Sequence, residues 1–252
     1  SWIKECHDDD KVRGRVMTLK TITGRMAHNS PNMAQVPASY SPYGKEFRSL
    51  WTISDPDNYN LVGTDASGLE LRCLAHYMKD KEYIHEVVNG DVHTANMKMA
   101  GLTNRDQAKT FIYAFLYGAG PAKIGKVVGG GAAQGRELIE SFLSNMPALK
   151  RLRTQVTEAA TQGSIKGLDG RWLQIRSAHA ALNTLLQGAG AIICKEWLVQ
   201  MTKQINETKL NAKLVGSIHD EYQFEVSIED TPQFCEITKQ AILDTEKILG
   251  VI

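Results

Sequence analysis

Four side chains recur at every fourth position in the middle of the chain: Arg105, Lys109, Tyr113 and Tyr117. On a helix that spacing lines them along one face. Two cations followed by two aromatics suit a nucleoside triphosphate. The cations neutralise phosphates, and a ring stacks on the base or bounds the sugar. Ala108, Phe111, Ile112 and Phe115 fall on the opposite face, where they can pack inward. The same pattern also describes an ordinary amphipathic helix with a basic solvent side, so the stripe needs a partner feature. Two carboxylates supply it. Asp65 ends the apolar run Leu61-Val62-Gly63-Thr64, and Asp220 lies at the tip of an apolar hairpin some 155 residues later. Singly, each reads better as a turn former or a helix cap. If their strands pair, both carboxylates meet at one sheet edge. They could then hold two divalent ions about 3.5–4 Å apart, the spacing for in-line phosphoryl displacement. Oxygen ligands of this kind suit magnesium, which keeps several waters and accepts substrate phosphates.

The elements that must position these residues can be read from turn signals and periodicity. Residues 1–60 mix short apolar runs with Thr23-Gly24, Ser30-Pro31-Asn32, Ser41-Pro42-Tyr43-Gly44 and Asp55-Pro56-Asp57, a loop-rich segment with short strands. A buried strand at 61–64 leads into a helix from Gly68 to about Met78, with Ser67 as its cap and Glu70 as capping-box partner. Helical patterns continue to about residue 162. Asp91 caps one helix, and Thr103 caps the next, which stops before Gly118-Ala119-Gly120-Pro121. Gly129-Gly130-Gly131 is a loop, and Ile165 to Arg176 forms a hairpin turning at Leu168-Asp169-Gly170. One long helix covers Ala180 to about Ile205. Lys213 to Ile218 and Tyr222 to Val226 are strands joined by a tight turn at His219-Asp220-Glu221, and a last helix spans about Pro232 to Leu249. The fold class is α+β: a small antiparallel sheet with a large helical insertion.

Composition narrows the field less. The 252 residues suffice for one large domain or two sharing a core. No apolar run approaches the roughly 18 residues of a membrane span, and no secretory signal is visible. Cys6, Cys73, Cys194 and Cys235 lie far apart without a Cys-x-x-Cys pair, which argues against a zinc ribbon and a disulfide framework. A net charge of +1 gives no global sign of a nucleic-acid binder. Charge is concentrated locally, in Lys11, Arg13, Arg15, Lys20 and Arg25, and again in Lys150, Arg151, Arg153, Lys166, Arg171 and Arg176. Any such cluster can also be solvated surface. The ends read as cut from something longer.

Three stretches carry a family pattern. Asp65-Ala66-Ser67-Gly68-Leu69-Glu70-Leu71-Arg72, the helix stripe through Tyr117-Gly118, and His219-Asp220-Glu221 resemble, in order, the three catalytic motifs of family A DNA polymerases. Thr23-Gly24-Arg25, Ser30 to Pro37, Gly90-Asp91-Val92-His93-Thr94 and Asn183 to Ala191 extend the resemblance, which is nearest to the phage replicative branch. The resemblance implies a palm from two segments, 1–95 and 177–252, around mostly helical fingers at 96–176. It also implies template-directed addition of deoxynucleotides to a primer end with release of pyrophosphate.

Residue by residue, it implies that Asp65, Asp220 and the Ala66 carbonyl hold two Mg2+ ions. Glu221 lies beside them. Arg105, Lys109 and His93 hold the triphosphate, with Lys109 the acid for pyrophosphate. Tyr113 flanks the sugar, Glu70 closes its pocket against a 2′-hydroxyl, and Tyr117 stacks near the template base. Glu70 beside Tyr113 argues against a single-subunit RNA polymerase. Arg25 and Gln187 touch the minor groove, where every base pair presents an acceptor in a similar place. His219 lies near the primer end, with Asn183 and His179 along the duplex path. A tyrosine at 113 goes, in this family, with ready acceptance of dideoxynucleotides. Primer–template DNA and dNTP are the implied partners, and the host cytoplasm the implied location. Thumb and exonuclease domains are expected to be missing, and with the thumb a docking insertion for a processivity factor. A split or non-catalytic fragment that grips primer–template and needs a partner chain is the alternative.

Overall fold

In the computed structural model, which describes residues 2–252 with side chains from residue 4 on, the first 67 residues are loop-rich. Two three-residue strands, β1 (Arg15–Met17) and β2 (Ala27–Asn29), pair antiparallel. A six-residue helix, α1 (Gly44–Ser49), follows. It is too short for periodicity to reveal in the sequence. The seven-residue strand β3 (Tyr59–Asp65) then ends at the expected aspartate, but the expectation of a buried strand is corrected: none of its residues is fully buried and Leu61 is 43% exposed, because β3 is an edge strand of its sheet.

Helices dominate from there to residue 160: α2 (Leu69–Met78), α3 (Lys81–Asn89), α4 (Val92–Ala100), α5 (Arg105–Leu116), α6 (Pro121–Val127), α7 (Ala132–Asn145) and α8 (Pro147–Ala160). Two expected caps are corrected. Gly68, in the left-handed region at φ 65°, occupies the N-cap of α2 without a side-chain hydrogen bond, so Ser67 does not cap it. Only glycine enters that conformation without a Cβ penalty. At α5 the cap is Asn104, one residue beyond Thr103, and its Oδ1 accepts from the N–H groups of Asp106 and Gln107. Asp91 caps α4 as expected, accepting from His93 and Thr94.

The inner face of α5 is the predicted one: Ala108, Phe111 and Ile112 are fully buried. Phe111 and Phe115 meet Phe142 of α7 edge-on, at ring-centroid distances of 5.0 and 5.7 Å. The hairpin β4 (Ser164–Lys166) and β5 (Trp172–Gln174) comes next, then the 28-residue α9 (Ala181–Thr208).

The chain ends in β6 (Ala212–Ile218), β7 (Glu221–Ser227) and α10 (Thr231–Leu249). The turn between β6 and β7 is His219-Asp220 alone, because Glu221 already pairs as the first residue of β7. This tightens the expected three-residue turn. The sheet order is β3-β7-β6, antiparallel throughout. Along β7 the side chains alternate: Tyr222, Phe224 and Val226 are buried, while Glu221, Gln223 and Glu225 are not. The buried set packs on α9 and α10. Trp197 lies edge-on to Tyr222 at 5.6 Å, Phe224 meets Phe234 at 4.9 Å, and Tyr222 donates to the Cys194 carbonyl at 2.8 Å.

By internal contacts the chain forms two compact units, residues 1–67 with 190–250, and residues 68–189 with 251–252. These bounds differ from the expected ones at 95 and 176. No helix among the described residues is long and apolar enough to cross a membrane.

Candidate active site

The first unit carries the carboxylates. Strands β3 and β7 pair in a register that sets Asp65 directly opposite Glu221. Directly opposed residues point to the same sheet face. That is the face opposite the buried Tyr222 and Phe224. One residue beyond the ladder, the Ala66 N–H donates to the Asp220 carbonyl at 3.0 Å. The two aspartates, remote in sequence, therefore flank one sheet end. Glu221 is turned along the sheet, where its Oε1 accepts from Gln223 at 2.8 Å. Glycines Gly63 and Gly216 stand opposite Gln223 on either side, so that row bears a single side chain.

Among the described residues no three His, Cys, Asp or Glu side chains gather into a metal cage. The available donors are thus two aspartates and main-chain oxygen. That set fits magnesium bound through one or two carboxylates plus substrate phosphates, and does not fit an all-protein zinc or calcium site.

His219, at the turn with φ 58°, faces His28 edge-on at 6.0 Å. The segment leading into β2 reaches the same end of β6, since Ser217 Oγ lies 3.5 Å from Met26 Sδ. Arg25 is the neighbouring residue, half-buried, with its carbonyl accepting from Thr21. Burial lowers the pKa of His28.

The second unit carries the nucleotide stripe. Arg105 and Lys109 are exposed on α5 and Tyr113 is half-buried; Tyr117 follows as its C-cap. The Tyr113 and Tyr117 rings stack at 6.5 Å, and His93 of α4 lies 6.2 Å from Tyr113. Burial, then Arg105 and Lys109, holds the His93 imidazole below its ordinary pKa. Glu70 of α2 accepts a 3.1 Å hydrogen bond from the Tyr117 hydroxyl. Four of the predicted nucleotide residues, Glu70, His93, Tyr113 and Tyr117, are therefore linked to one another by α2, α4 and α5, and Arg105 and Lys109 act electrostatically on His93.

In the sequence Asp91 reads only as a cap. The structure shows it also clamping Arg105 bidentately, with Nε–Oδ2 at 2.8 Å and Nη2–Oδ1 at 3.0 Å. The Arg105 guanidinium, with help from Thr94, holds the Asp91 carboxyl well below the usual carboxylate range. No spacing in the sequence announces this pair. Asn183 and Gln187 share a face of α9, and His179 precedes them in a single 3-10 turn. A Cβ at Gly118, just past Tyr117, would meet the His179 carbonyl oxygen at 2.7 Å, so α5 ends hard against that turn.

The chain is similar to known proteins over nearly its whole length. The DNA-directed DNA polymerase of Enterobacteria phage T3 is 40% identical over 99% of this chain and 42% of its own length. That of Escherichia phage T7 gives the same figures, and the DNA polymerase I of Geobacillus stearothermophilus is 26% identical over 92% of the chain and 30% of its length. The chain thus spans less than half the length of these relatives. The solved POL domain of Pol1 from M. smegmatis, in complex with DNA primer-template and dNTP, has the same fold. Its TM-score is 0.88 at 19% identity, covering 97% of this chain and 47% of that one. The model of the family described as DNA polymerase family A matches residues 2–251, and the chain belongs to that family.

Proposed function

We propose that the chain performs template-directed DNA synthesis in viral DNA replication, adding deoxynucleotides to a primer 3′ end with release of pyrophosphate. The observation that carries this reading is the Asp65–Glu221 register closed by the Ala66–Asp220 hydrogen bond. It brings two remote aspartates to one sheet end. Asp65, Asp220 and the Ala66 carbonyl would hold two magnesium ions, which supply Lewis acidity to the attacking 3′-hydroxyl and the leaving pyrophosphate.

The remaining chemistry belongs to side chains and is mostly positioning. Arg105 and Lys109 bind the triphosphate, and His93 assists them. Lys109 gives a proton to the departing pyrophosphate oxygen. Tyr113 bounds the sugar, and Tyr117 presents its ring near the template base while holding Glu70, whose carboxylate excludes a 2′-hydroxyl. Glu221, held by Gln223, supports the aspartates from beside them. Arg25 and Gln187 donate to minor-groove acceptors. His219 lies near the primer end, and His179 and Asn183 lie along the duplex. The palm comprises 1–95 and 177–252, and the fingers 96–176. Primer–template DNA and dNTP are its partners, a processivity factor would act through a thumb, and the host cytoplasm is its place of action.

Primer extension tests the reading. With magnesium, a primer–template and the next dNTP, the chain extends the primer by one nucleotide. Bound DNA without incorporation would overturn it. A second reading is a non-catalytic or split-polymerase fragment that binds primer–template and needs a partner chain. Incorporation that appears only when the relatives' remaining segment is added in trans selects that second reading.

A further inference from the structure

The hairpin of β4 and β5 has two unlike faces. Ile165 and Leu173, directly paired, are 4% and 2% exposed. Leu173 anchors the hairpin on α9, since a Cβ at Gly188 would meet its Cδ1 at 2.7 Å. The opposite face pairs Ser164 with Gln174 and Lys166 with Trp172. Trp172 is 67% exposed there, a large apolar surface that the hairpin's own anchoring does not use. Lys166 and Arg176 are exposed and form no ion pair among the described residues, whereas Arg171 is paired with Asp169 at 3.3 Å. Residues 150–176 hold six cations, Lys150, Arg151, Arg153, Lys166, Arg171 and Arg176, against Glu158 and Asp169. That segment is net +4 in a chain of net +1, so the rest is net −3.

A flat ring offered to solvent beside unpaired cations, with amide and hydroxyl groups and no carboxylate on the same face, matches unpaired nucleic acid. Bases stack on the indole, and phosphates meet the cations. A duplex has no free base to offer. We propose that the Ser164-Lys166-Trp172-Gln174 face binds single-stranded DNA, namely the unpaired template. This rests on the polymerase reading for its occupant, but on the hairpin alone for its chemistry.

The experiment compares wild-type chain with Trp172→Ala and Trp172→Phe. Fluorescence anisotropy follows binding of a labelled oligo-dT, an abasic strand of equal length, and a blunt duplex at low salt. Trp172→Ala is expected to weaken oligo-dT binding about tenfold, within the lower half of the range for one base–aromatic stack. Duplex and abasic binding should stay within about twofold, and Trp172→Phe should retain most of the oligo-dT affinity. The melting temperature of Trp172→Ala should match wild type, since the indole is exposed. Equal oligo-dT affinity for Trp172→Ala and wild type overturns the proposal. An equal loss on the abasic strand or the duplex also overturns it, as does failure of wild type to bind oligo-dT. So does an equal loss for a polyglutamate competitor, which would mark a surface for an acidic protein instead. Single-nucleotide extension by wild type is scored separately, so failure of the polymerase reading and failure of this site are told apart.

Discussion

The Ala66 N–H donates to the Asp220 carbonyl at 3.0 Å, tying the residue after one aspartate to the backbone of the other. This bond extends the β3–β7 ladder past its last pair, Asp65 with Glu221. The main-chain positions of the two aspartates are therefore tied by backbone hydrogen bonding, which tolerates side-chain substitution. Asp65→Asn and Asp220→Asn should both keep the fold and its DNA affinity while lowering single-nucleotide incorporation on the order of 10²-fold or more. Rapid-quench extension beside a binding titration checks this. A mutant that extends at the wild-type rate removes that aspartate from the metal set.

Glu70 and Tyr117 give the second prediction. The hydroxyl of Tyr117 donates to Glu70 Oε1 at 3.1 Å, so the carboxylate is oriented from one side. Glu70→Ala should raise ribonucleotide use relative to deoxynucleotide by about tenfold, the scale of removing one discriminating group. Tyr117→Phe, which keeps the ring and loses the donor, should give a smaller rise. The ratio of kcat/KM for the two nucleotides is the measurement, and a Tyr117→Phe effect exceeding that of Glu70→Ala contradicts the arrangement.

Tyr113 stands on the same helix with its ring stacked on Tyr117 at 6.5 Å. If its hydroxyl stands in for the 3′-hydroxyl that a dideoxynucleotide lacks, Tyr113→Phe should raise discrimination against dideoxynucleotides by about tenfold, the scale of one hydrogen bond. Competition between dNTP and ddNTP in extension reads it directly. Unchanged discrimination refutes the idea.

The stripe on α5 was legible because it is periodic, with Phe111 and Ile112 facing inward where a 3.6-residue repeat puts them, whereas the apolar run before Asp65 gave the strand but not its exposed edge position. The hairpin at Asp220 was legible for the same reason, with Tyr222, Phe224 and Val226 alternating inward. What escaped was non-periodic. Gly68 rather than Ser67 begins α2 because the chain turns through a left-handed φ, which no spacing encodes. Asn104 displaced Thr103 because two adjacent residues were both competent caps. The clamp of Asp91 on Arg105 joins residues 14 apart through the packing of α4 on α5, and the Tyr117–Glu70 bond joins residues 47 apart. Side-chain pairs of this kind depend on helix packing, not on local pattern.

Asp91 therefore yields a prediction that sequence reading would not have made. Its Oδ1 accepts from the His93 and Thr94 N–H groups, and the carboxylate as a whole clamps Arg105. Asp91→Ala removes both roles, while Asp91→Asn keeps a capping oxygen. The first should raise the KM for dNTP by about tenfold and the second by less, because misplacing a phosphate-binding cation is costly. The urea midpoint should fall in the same order. Equal effects of the two substitutions would assign everything to the charge and nothing to the cap.

Acid sensitivity follows from three histidines. Burial is the first cause that lowers the pKa of His28, His76 and His93; Lys79 adds to it at His76, and Arg105 and Lys109 add to it at His93. In the unfolded chain each takes up a proton near pH 6.5. The folded chain resists until lower pH, so the unfolded state binds more protons across that interval. Stability should then rise with pH up to about 6.5 and flatten above it, falling as pH drops toward 5. The carboxyls of Asp9 and Asp91 are held well below the usual range by Arg13 and Arg105, so they stay ionised throughout this window and add no slope. Thermal melts between pH 5 and 8 should show a drop on the order of a few degrees at the acid end, the partial exposure of these rings limiting it. His76→Gln should flatten the profile without touching the nucleotide stripe. A melting temperature that climbs as pH falls from 7 to 5 would mean that the imidazoles gain partners when protonated.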